Sequence, residues 1–448
     1  MACLIEPKVL KGFRDFLPAD EIARRELVAR IESVYQSYGY VPIDTPALEY
    51  TEILLGKGGG ETEKQIYRFA DAGGRDIALR FDLTVPLARF TAAHADELSM
   101  PFKRYHIAKV WRGENTQRGR YREFMQCDCD AIGDAKDADN ALADFEILCM
   151  MRDALTAAIN EGGDSAAQVK ICVNHRGLFN RFLDRLNAQG KSVDILRAVD
   201  KLAKIGRAET RTLLAGIAGE AAADEILAYI ETAGNWNETL ATLARMAGGA
   251  SPEDERLRII YGMLEDAGIA DSFTLAPSIT RGLDYYTGIV YESFLTALPG
   301  IGSVCSGGRY GNLAGLYTRR TLSGVGASVG LDRLIAALSS IGGGTQRATY
   351  ARLAIAATNE AAGGLYQLLA SQFRAAGIPC EVLAADEKKL TAFYMSAEKR
   401  GIGYAVLAGD TITLRDLSAR KNTEGLNAQE VIALLNNNKN RQPQGTIL

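Results

Sequence analysis

The chain has 448 residues, with 51 Lys and Arg against 55 Asp and Glu, which gives a formal net charge of −4. Hydrophobic residues make up 47% and charged residues 24%, the usage of a soluble globular protein, so intrinsic disorder and collagen-like structure are excluded. At about 150 residues per domain the chain should form two to four domains. The near-neutral balance excludes binding to nucleic acid by bulk positive charge alone.

Cysteine and histidine usage narrows the function classes further. The seven cysteines are an odd number without a C-x-x-C pair, and the chain starts with no charged segment followed by an apolar one, so we expect a reducing, cytoplasmic setting. Uninterrupted apolar runs stay below the roughly 18 residues that a membrane span needs, and we expect no membrane partner. The three histidines are too few for a histidine-rich metal site or an H-E-x-x-H helix.

The first third of the chain predicts one helix followed by strands. Residues 20–38 place apolar and aromatic side chains close to helical spacing after an acidic start, and Gly39 should end this helix. Residues 40–46 carry two prolines in a β-branched run, which fits a strand at an edge or at a subunit boundary better than a central strand. Strand-like runs then follow at 77–84, 104–114 and 122–133.

A helical segment should interrupt the strand-rich part. Residues 140–161 and 176–270 are rich in Ala, Leu, Arg and Glu with helical periodicity. Strand character returns at 288–294, and a glycine-rich stretch from 300 to 330 leads into a helix at 331–338.

The last hundred residues have the rhythm of a small, mostly parallel α/β domain. Residues 342–346 are typical of a linker. After it, strands and helices alternate, with strands predicted at 352–356, 380–383, 404–407 and 411–414 and helices at 363–376 and 390–400.

Ordinary nucleotide-binding motifs are not supported. Gly324-Val-Gly326-Ala-Ser-Val-Gly330 has three residues before its third glycine, where the dinucleotide fingerprint has two. Gly190-Lys191-Ser192 ends like a P-loop, but Arg185 stands where that motif needs glycine. Any nucleotide must therefore be held by side chains, arginines above all, since a guanidinium meets phosphate oxygens in a bidentate way.

The connection between two predicted strands concentrates positive charge. Residues 103–122 hold seven basic residues against the single acid Glu114, a local charge of +6. A solvated surface is the ordinary interpretation of such a run. The basic residues here alternate with the aromatic residues Trp111 and Tyr121 rather than with acids, which favours a binding role.

Period-two alternation brings polar groups together beside this connection. It places Gln126, Asp128 and Asp130 on one face of a strand and Cys127 and Cys129 on the other. We interpret the two cysteines as packing residues and assign no zinc, since no second pair lies at ligand spacing. By the same alternation Arg80, Asp82 and Thr84 share a face, which for this segment alone fits an exposed edge equally well. Together with Gln126 and Asp130 they suit a pocket for an ammonium group.

The helix from Asp20 with the prolines of 40–46, the string Trp111-Arg-Gly-Glu114 and the run from Gly324 to Arg333 occur in this order along the chain. They resemble motifs 1, 2 and 3 of the class II aminoacyl-tRNA synthetases, and the strings given next are similar to those of the histidyl-tRNA synthetase family. The further matching strings are Trp111-Arg-Gly-Glu114 with Arg120-x-x-x-Phe124 for motif 2, Gly324 to Arg333 for motif 3, the two histidine-type signatures Arg281-Gly-Leu-Asp-Tyr285-Tyr286-Thr-Gly and Cys305-Ser-Gly-Gly-Arg309-Tyr310, and the agreeing strings at 11–15 and 79–84.

The resemblance implies a site for ATP activation of an amino acid. Arg112 is expected to contact the α-phosphate and the substrate carboxylate, and Arg281 to lie near the α-phosphate; both are the expected catalytic residues. Glu114 would bind the adenine amino group, Phe124 would stack on adenine and Arg333 would hold the terminal phosphates. ATP would enter with Mg²⁺ as a substrate, and we expect neither a protein-bound metal nor an organic prosthetic group.

The resemblance also implies the L-histidine pocket. A neutral imidazole offers one N–H donor and one acceptor, so a selective pocket needs partners of both kinds. Asp130 would accept from the ring, Tyr285 or Tyr286 would complete the contact and Tyr310 would close the pocket. The remaining histidine ligands by the same resemblance are Asp82, Thr84 and Gln126 for the α-amino group, Arg112 for the carboxylate, and Arg281.

Transfer to tRNA(His) requires further contacts. Gln117 and Arg118 near the tip of the motif 2 loop are expected to contact tRNA. The carboxy-terminal domain carries seven basic residues against three acids between 388 and 421, and Lys399 and Arg400 are its expected tRNA contacts. Motif 1 implies a homodimer.

One departure from the family concerns the tRNA. Many bacterial members read R-x-E-R-P-Q where this chain reads Arg112-Gly-Glu-Asn115-Thr116-Gln117. We therefore expect little discrimination on the extra 5′ guanosine of histidine tRNAs. Charging rates of transcripts with and without that nucleotide test this, and a large preference would contradict it.

The predicted architecture combines three parts. They are an α+β catalytic core with an antiparallel sheet over 1–340, a helical insertion within it at 176–270, and a C-terminal α/β anticodon-binding domain at 347–448. The alternative is a binding module without catalysis, such as the regulatory subunit of ATP phosphoribosyltransferase or a sensor of uncharged tRNA. Retention of Arg112, Glu114, Arg281 and Arg333 beside a full carboxy-terminal domain favours the enzyme.

Overall fold

The computed structural model describes residues 4–56, 62–117, 119–159, 169–279, 285–311, 313–341 and 347–437. Two compact units form. The first comprises the residues up to Phe13 together with Val28–Ala337, and the second comprises Arg14–Leu27 and the residues from Leu338 onward. None of the helices within the described ranges is long and apolar enough to cross a membrane.

The strands, in chain order, are β1 (Val41–Pro42), β2 (Leu48–Tyr50), β3 (Arg68–Ala70), β4 (Asp76–Leu79), β5 (Phe102–Trp111), β6 (Glu123–Asp134), β7 (Val169–His175), β8 (Phe273–Leu275), β9 (Ile289–Leu295), β10 (Cys305–Tyr310), β11 (Leu322–Gly330), β12 (Leu353–Ala357), β13 (Cys380–Ala384), β14 (Tyr404–Ala408), β15 (Ile412–Asp416) and β16 (Lys421–Leu426).

The α-helices, in chain order, are α1 (Pro18–Ser37), α2 (Thr51–Leu55), α3 (Thr84–Ala93), α4 (Ala135–Ala138), α5 (Ala141–Ile159), α6 (Arg176–Arg185), α7 (Ser192–Val199), α8 (Leu202–Ile205), α9 (Arg207–Ala218), α10 (Glu220–Ile230), α11 (Trp236–Met246), α12 (Pro252–Asp266), α13 (Leu331–Ile341), α14 (Gly363–Ala375), α15 (Leu390–Lys399) and α16 (Ala428–Asn437).

An eight-stranded sheet organises the first unit, in the order β1-β5-β6-β11-β10-β9-β7-β8. Its central pairs are antiparallel, whereas the outermost pairs, β1 with β5 and β7 with β8, are parallel. The proline-containing strand β1 lies at the edge, as its sequence predicts, because proline cannot donate to a ladder on both sides. The antiparallel α+β core expected from the sequence is confirmed.

The long β5–β6 hairpin is the element that the sequence predicts best. Its register pairs Arg104 with Asp130 and Trp111 with Glu123. Cys127 and Cys129 are buried without exposure, which fits the packing role predicted for them. The hairpin presents Gln126 and Phe124 on the strand that leaves the Arg-rich connection.

The helical run α6 to α12 is a single crossover between the parallel neighbours β7 and β8. The prediction of helices at 176–270 is therefore confirmed. A capping box fixes the start of α12: Ser251 is the N-cap residue, Pro252 is the first helical residue, and Asp254 in the first turn bonds back to Ser251.

Two segments differ from their predicted structure. Strand β4 ends at Leu79, and Thr84 opens α3, so the predicted strand face of Arg80, Asp82 and Thr84 is wrong. Pro86 in the first turn of α3 favours a helix start at this place. The glycine-rich stretch at 300–330 contains the strands β10 and β11, which glycine's low strand propensity conceals.

The second unit holds a five-stranded sheet in the order β13-β12-β14-β15-β16. The first three strands are parallel and the last two antiparallel, so the sheet is less parallel than predicted. Alternation along β12 directs Leu353 and Ile355 to a core shared with α14 and α16. Ala354 and Ala356 pack with α15 on the opposite face. The strand β16 and the helix α16 are elements that the sequence did not predict.

Candidate active site

A cavity of about 660 Å³ opens on the central sheet of the first unit. The β5–β6 connection, the loop before α3, β10, the end of β11 and the start of α13 form its walls. Helices α6 and α7 add residues from the crossover. The sequence-predicted residues that line the cavity are Asp82, Thr84, Arg112, Glu114, Phe124, Gln126, Tyr285, Tyr286 and Arg333.

Arg112 is fixed at the mouth of the hairpin by backbone contacts. Its backbone N–H donates to the carbonyl of Arg122 at 2.9 Å, which closes the hairpin, and its Nε donates to the Phe81 carbonyl at 2.9 Å. The guanidinium lies over the Phe124 ring, 5.2 Å from the centroid. Arg112 lines the cavity, and its Nη1 lies 3.9 Å from Glu114 Oε1. A charged, planar guanidinium at this place can bind an anion in a bidentate way.

The connection between β5 and β6 turns tightly at its tip. Gln117 and Arg120 exchange backbone hydrogen bonds, with N–O distances of 3.2 and 2.8 Å. Arg120 lines the cavity and approaches Glu114 to 3.5 Å, whereas Gln117 is exposed and does not line the cavity. Arg118 lies outside the described residues.

Helix α13 supplies the opposite wall. Asp332 accepts a hydrogen bond from the backbone N–H of Met125 at 2.7 Å, which ties the start of α13 to β6. The next residue, Arg333, donates from Nη1 to the carbonyl of Ser303 at 2.5 Å. Gly119 in the hairpin connection packs against Arg333, where an added Cβ would lie 3.4 Å from the Arg333 Cα. Arg112 and Arg333, two of the three arginines expected at the phosphates, therefore line one cavity.

Two acceptor oxygens on the cavity wall are buried without a hydrogen-bond partner among the described residues. They are Oδ2 of Asp82 and Oε1 of Gln126. Asp82 uses its other oxygen to accept from the Val85 N–H at 3.1 Å, and the Gln126 amide donates to Ser328 Oγ at 2.7 Å and to Asp128 Oδ1 at 3.2 Å. Buried acceptors are costly unless they are bonded, so this pair is suited to a ligand with several N–H donors.

Buried carboxylates dominate the electrostatics beneath the cavity. Burial raises the pKa of Asp82 to about 6 and that of Asp128 to about 7, and it also raises the pKa of Asp130. Nearby arginines lower these pKa values again, with Arg104 acting on all three groups. A positively charged ligand in the cavity would also lower these pKa values, because its charge stabilises the ionised carboxylates.

Tyr285 and Tyr286 form an aromatic wall. Their rings meet edge to face with centroids 4.9 Å apart, and Tyr285 meets the Tyr310 ring in the same manner at 6.0 Å. Burial raises the pKa of the Tyr286 hydroxyl, which therefore stays protonated and able to donate. The neighbouring Arg281 lies outside the described residues.

Asp130 and Tyr310 lie one layer deeper than expected. Neither lines the cavity. The Tyr310 hydroxyl donates to Asp130 Oδ1 at 2.8 Å, and the Arg104 guanidinium meets Asp130 Oδ2 at 2.6 Å. Tyr286 lines the cavity and lies near this group, since burial and then the charge of Asp130 raise the pKa of its hydroxyl.

The structure adds residues that the sequence did not single out. Arg176, Arg197 and Lys201 of the helical crossover line the cavity. Arg104 was one of seven basic residues in a charged run, but it is fully buried against Asp130. The hairpin register could have revealed this pairing, because counting back from Arg112 opposite Arg122 places Arg104 opposite Asp130.

In the second unit, the two predicted tRNA contacts differ in their surroundings. Lys399 at the end of α15 is exposed, whereas Arg400 is half-buried and paired with Glu381 at 2.5 Å. The charge of Arg400 is therefore largely balanced, and Lys399 is the more available cation.

Comparison with known proteins agrees with this geometry. The family model described as histidyl-tRNA synthetase matches residues 12–334. A histidine–tRNA ligase of Treponema denticola is 53% identical over 412 residues, covering 91% of this chain and 90% of the relative. One of Rhodopirellula baltica is 47% identical and covers 91% of each chain.

A solved structure supports the fold along its whole length. The crystal structure of histidyl-tRNA synthetase from a Nostoc species superimposes with a TM-score of 0.83 at 29% identity, covering 97% of this chain and 100% of that one. The family model, the relatives and the fold all lead to one assignment: the chain belongs to the histidyl-tRNA synthetase family.

Proposed function

We propose that this cavity is where the protein activates L-histidine with ATP and then transfers the histidyl group to the 3′ end of tRNA(His). The function is that of a histidine–tRNA ligase. In the first step a carboxylate oxygen of histidine forms a bond to the α-phosphorus of ATP. The bond to the bridging oxygen of pyrophosphate breaks, which leaves histidyl-adenylate. In the second step the terminal ribose hydroxyl of tRNA displaces AMP.

The observation that carries the proposal is the pair of buried, unpartnered acceptors on the cavity wall, Asp82 Oδ2 and Gln126 Oε1 among the described residues. An α-ammonium group offers three N–H donors and a positive charge, and Thr84 adds a hydroxyl beside them. The site therefore supplies what the amino end of an amino acid needs and offsets the buried negative charge of Asp82.

Arginines dominate the chemistry of activation. We assign Arg112 to the α-phosphate and the attacking carboxylate, because it brings two anions together without a proton transfer. Arg333 would hold the terminal phosphates from the opposite wall. Adenine would stack on the face of Phe124 that Arg112 leaves uncovered, with Glu114 at its amino group. Arg281 keeps its expected role at the α-phosphate as a prediction.

Selection of histidine would come from the layer beneath the cavity. Asp130 would accept the ring N–H, and the Tyr286 hydroxyl would donate to the other ring nitrogen. Tyr285 would support Tyr286 through the edge-to-face contact, and Tyr310 would hold the Asp130 carboxylate rather than close the pocket.

Magnesium would enter with ATP. Mg²⁺ prefers oxygen ligands and usually binds through one or two carboxylates together with substrate phosphates. The cavity wall offers carboxylates that fit this mode, among them Glu292. The ion would offset phosphate charge when bound, and the arginines would orient the same phosphates.

The remaining assignments concern assembly and tRNA. We propose a cytoplasmic homodimer, and apolar side chains left exposed beside motif 1 support an interface there: Val41, Leu48 and Tyr50 are 48%, 43% and 49% exposed. The segment 347–448 would bind the anticodon of tRNA(His), with Lys399 and Arg400 on its surface. The helical insertion at 176–270 lies within the catalytic domain at 1–340, and Gln117 and Arg118 would contact tRNA.

ATP–pyrophosphate exchange tests the proposal, with each amino acid in turn. We expect exchange with histidine alone. Asp82→Asn should raise the histidine KM about tenfold or more, because it removes a charged partner of the ammonium group, and it should leave the ATP KM within about twofold. Asp266→Asn, at the exposed end of α12, is the matched control. Histidine binding without exchange would instead indicate a sensor or regulatory subunit.

A further inference from the structure

Among the described residues, Arg104 is one of the largest side chains that are fully buried. It lies on β5 directly opposite Asp130 on β6, so the backbone register itself sets the pair. Its Nη2 meets Asp130 Oδ2 at 2.6 Å and donates to the Leu83 carbonyl at 3.3 Å. One guanidinium thus connects Asp130 to the 82–84 segment that presents Asp82 and Thr84 to the cavity.

Arg104 is also the shared counter-ion of the buried carboxylates. Asp82, Asp128 and Asp130 are 1%, 2% and 3% exposed, and desolvation opposes ionisation of each. Arg112 lies at the surface of this group with 26% of its side chain exposed, whereas Arg104 has none exposed. An uncompensated buried charge is strongly destabilising, so the deep carboxylates depend on Arg104.

The Asp130 carboxylate is held from three sides. Arg104 holds Oδ2, the Tyr310 hydroxyl donates to Oδ1, and the backbone of Gly326 lies beneath. The Arg104 guanidinium is engaged by Asp130 and by the Leu83 carbonyl, and none of its side chain is exposed, so we infer that it acts through these partners. Its Nε and Nη1 have no hydrogen-bond partner among the described residues. A pair kept only for packing could be replaced by apolar residues at little cost, so a buried arginine with unused donors indicates a positioning role.

We propose that Arg104 is a positioning residue for histidine recognition, which keeps Asp130 ionised and directed at the imidazole and fixes the 82–84 segment at the α-ammonium group. The inference rests on the proposed histidine-binding role of Asp130. It predicts that loss of Arg104 weakens histidine binding and leaves the ATP subsite intact, because Arg112, Glu114, Phe124 and Arg333 do not depend on this pair.

Two substitutions test the inference in the full-length protein by ATP–pyrophosphate exchange. Arg104→Met retains volume and removes the charge, and it should raise the histidine KM by about thirtyfold or more with the ATP KM within about twofold. Arg104→Lys retains the charge but not the planar guanidinium whose Nη2 reaches both Asp130 and the Leu83 carbonyl, so the histidine KM should rise by about threefold to tenfold.

Arg256→Met is the matched control, because Arg256 also meets a buried carboxylate, Asp144 at 2.8 Å, away from the cavity. It should lower the melting temperature and leave the histidine KM unchanged. If Arg104→Met does not fold, Arg104→Lys decides alone. An unchanged histidine KM in a folded Arg104 variant, or equal rises in the histidine and ATP KM, would overturn the inference.

Asp130→Asn distinguishes failure of the Arg104 positioning role from failure of the Asp130 binding role. A raised histidine KM in Asp130→Asn with no effect of Arg104→Met would reject the positioning role alone. An unchanged histidine KM in Asp130→Asn would reject the proposed role of Asp130 itself.

Discussion

Asp130 and Gly326 face each other across β6 and β11, and the carboxylate of Asp130 lies over the glycine. They are Cα partners in the antiparallel register. A Cβ built on Gly326 would lie 2.0 Å from Asp130 Oδ1 and 2.6 Å from the Cys129 carbonyl. The neighbouring Gly324 makes room in the same way for the Tyr310 ring, 2.3 Å from its would-be Cβ. Glycine is therefore required at both positions by close approach rather than by backbone conformation.

Gly326→Ala should displace the Asp130 carboxylate and weaken histidine recognition. Since backbone lies on one side and a held carboxylate on the other, the added methyl group cannot be accommodated by a small shift. We expect a rise of about tenfold or more in the histidine KM and a loss of about 1–3 kcal/mol in the free energy of unfolding. Exchange kinetics and chemical denaturation measure the two effects.

Gly216→Ala provides the matched control. Gly216 is exposed in α9, and nothing lies within 4 Å of its would-be Cβ. Alanine should there stabilise the protein by up to about 1 kcal/mol through helix propensity, with unchanged kinetics. A Gly326→Ala variant that behaves like this control would refute the close-approach argument.

The pH dependence of stability should report the buried Asp128. Burial raises its pKa from 3.8 to about 7, so the folded protein retains a proton that the unfolded chain releases at lower pH. The folded state then binds more protons, and the contribution of Asp128 to stability is complete below about pH 4 and falls as the pH rises towards 7. The Asp128→Asn variant cannot ionise and should lose this dependence.

Chemical denaturation between pH 5 and 8 measures whether Asp128 lowers the free energy of unfolding as the pH rises. Relative to the wild-type protein, Asp128→Asn should become progressively more stable as the pH rises to 7, by at most about 1.4 kcal/mol per pH unit. Asp266→Asn, an exposed carboxylate on α12, should run parallel to the wild type. Parallel curves for Asp128→Asn as well would show that Asp128 has an ordinary pKa in the folded protein.

The local pattern of polar and apolar residues was sufficient to predict much of the fold and part of the candidate site. Strand periodicity placed Gln126 and Asp130 on one face of β6, since alternation depends on the backbone alone. Strand periodicity gave the wrong structure at 80–84, because the polar alternation there precedes the start of helix α3, which Pro86 indicates. It also missed β10 and β11, because their glycines serve contacts with Asp130 and Tyr310, which are distant in sequence.

The depth at which a side chain lies below the cavity could not be predicted from the sequence of one strand. Alternation gives the face of a side chain, but the layer depends on what covers it from other elements. Asp130 lies against Arg104 and does not line the cavity, and neither relation follows from the sequence of β6. The crossover residues Arg197 and Lys201 could not be assigned either, because their position depends on how α7 folds back over the sheet.

A second buried cluster should stabilise the attachment of the helical crossover. Asp144 on α5 receives Arg309 of β10 at 2.7 Å and Arg256 of α12 at 2.8 Å. Removing the shared carboxylate leaves the two arginines only the half-exposed Asp139 as an acidic partner, so Asp144→Ala should cost about 3 kcal/mol in the free energy of unfolding. Asp224→Ala, which breaks an exposed pair with Arg211, should have a small effect by comparison. Equal effects in chemical denaturation would contradict a structural role for the cluster.

Binding of tRNA should depend on Lys399 more clearly than on Arg400. Lys399 is exposed at the end of α15, whereas a reversed charge at position 400 would also confront Glu381 and disturb the fold. Lys399→Glu should raise the Kd for tRNA(His) about threefold to tenfold at moderate salt and reduce the salt dependence of log K by about 1.

Arg374→Glu is the control within the same unit, on α14 across the sheet from α15. Filter binding over a salt series, with pyrophosphate exchange as a check on the first step, separates the outcomes. If Lys399→Glu and Arg374→Glu weaken tRNA binding equally, the effect is one of net charge, and the α15 surface is not the anticodon contact.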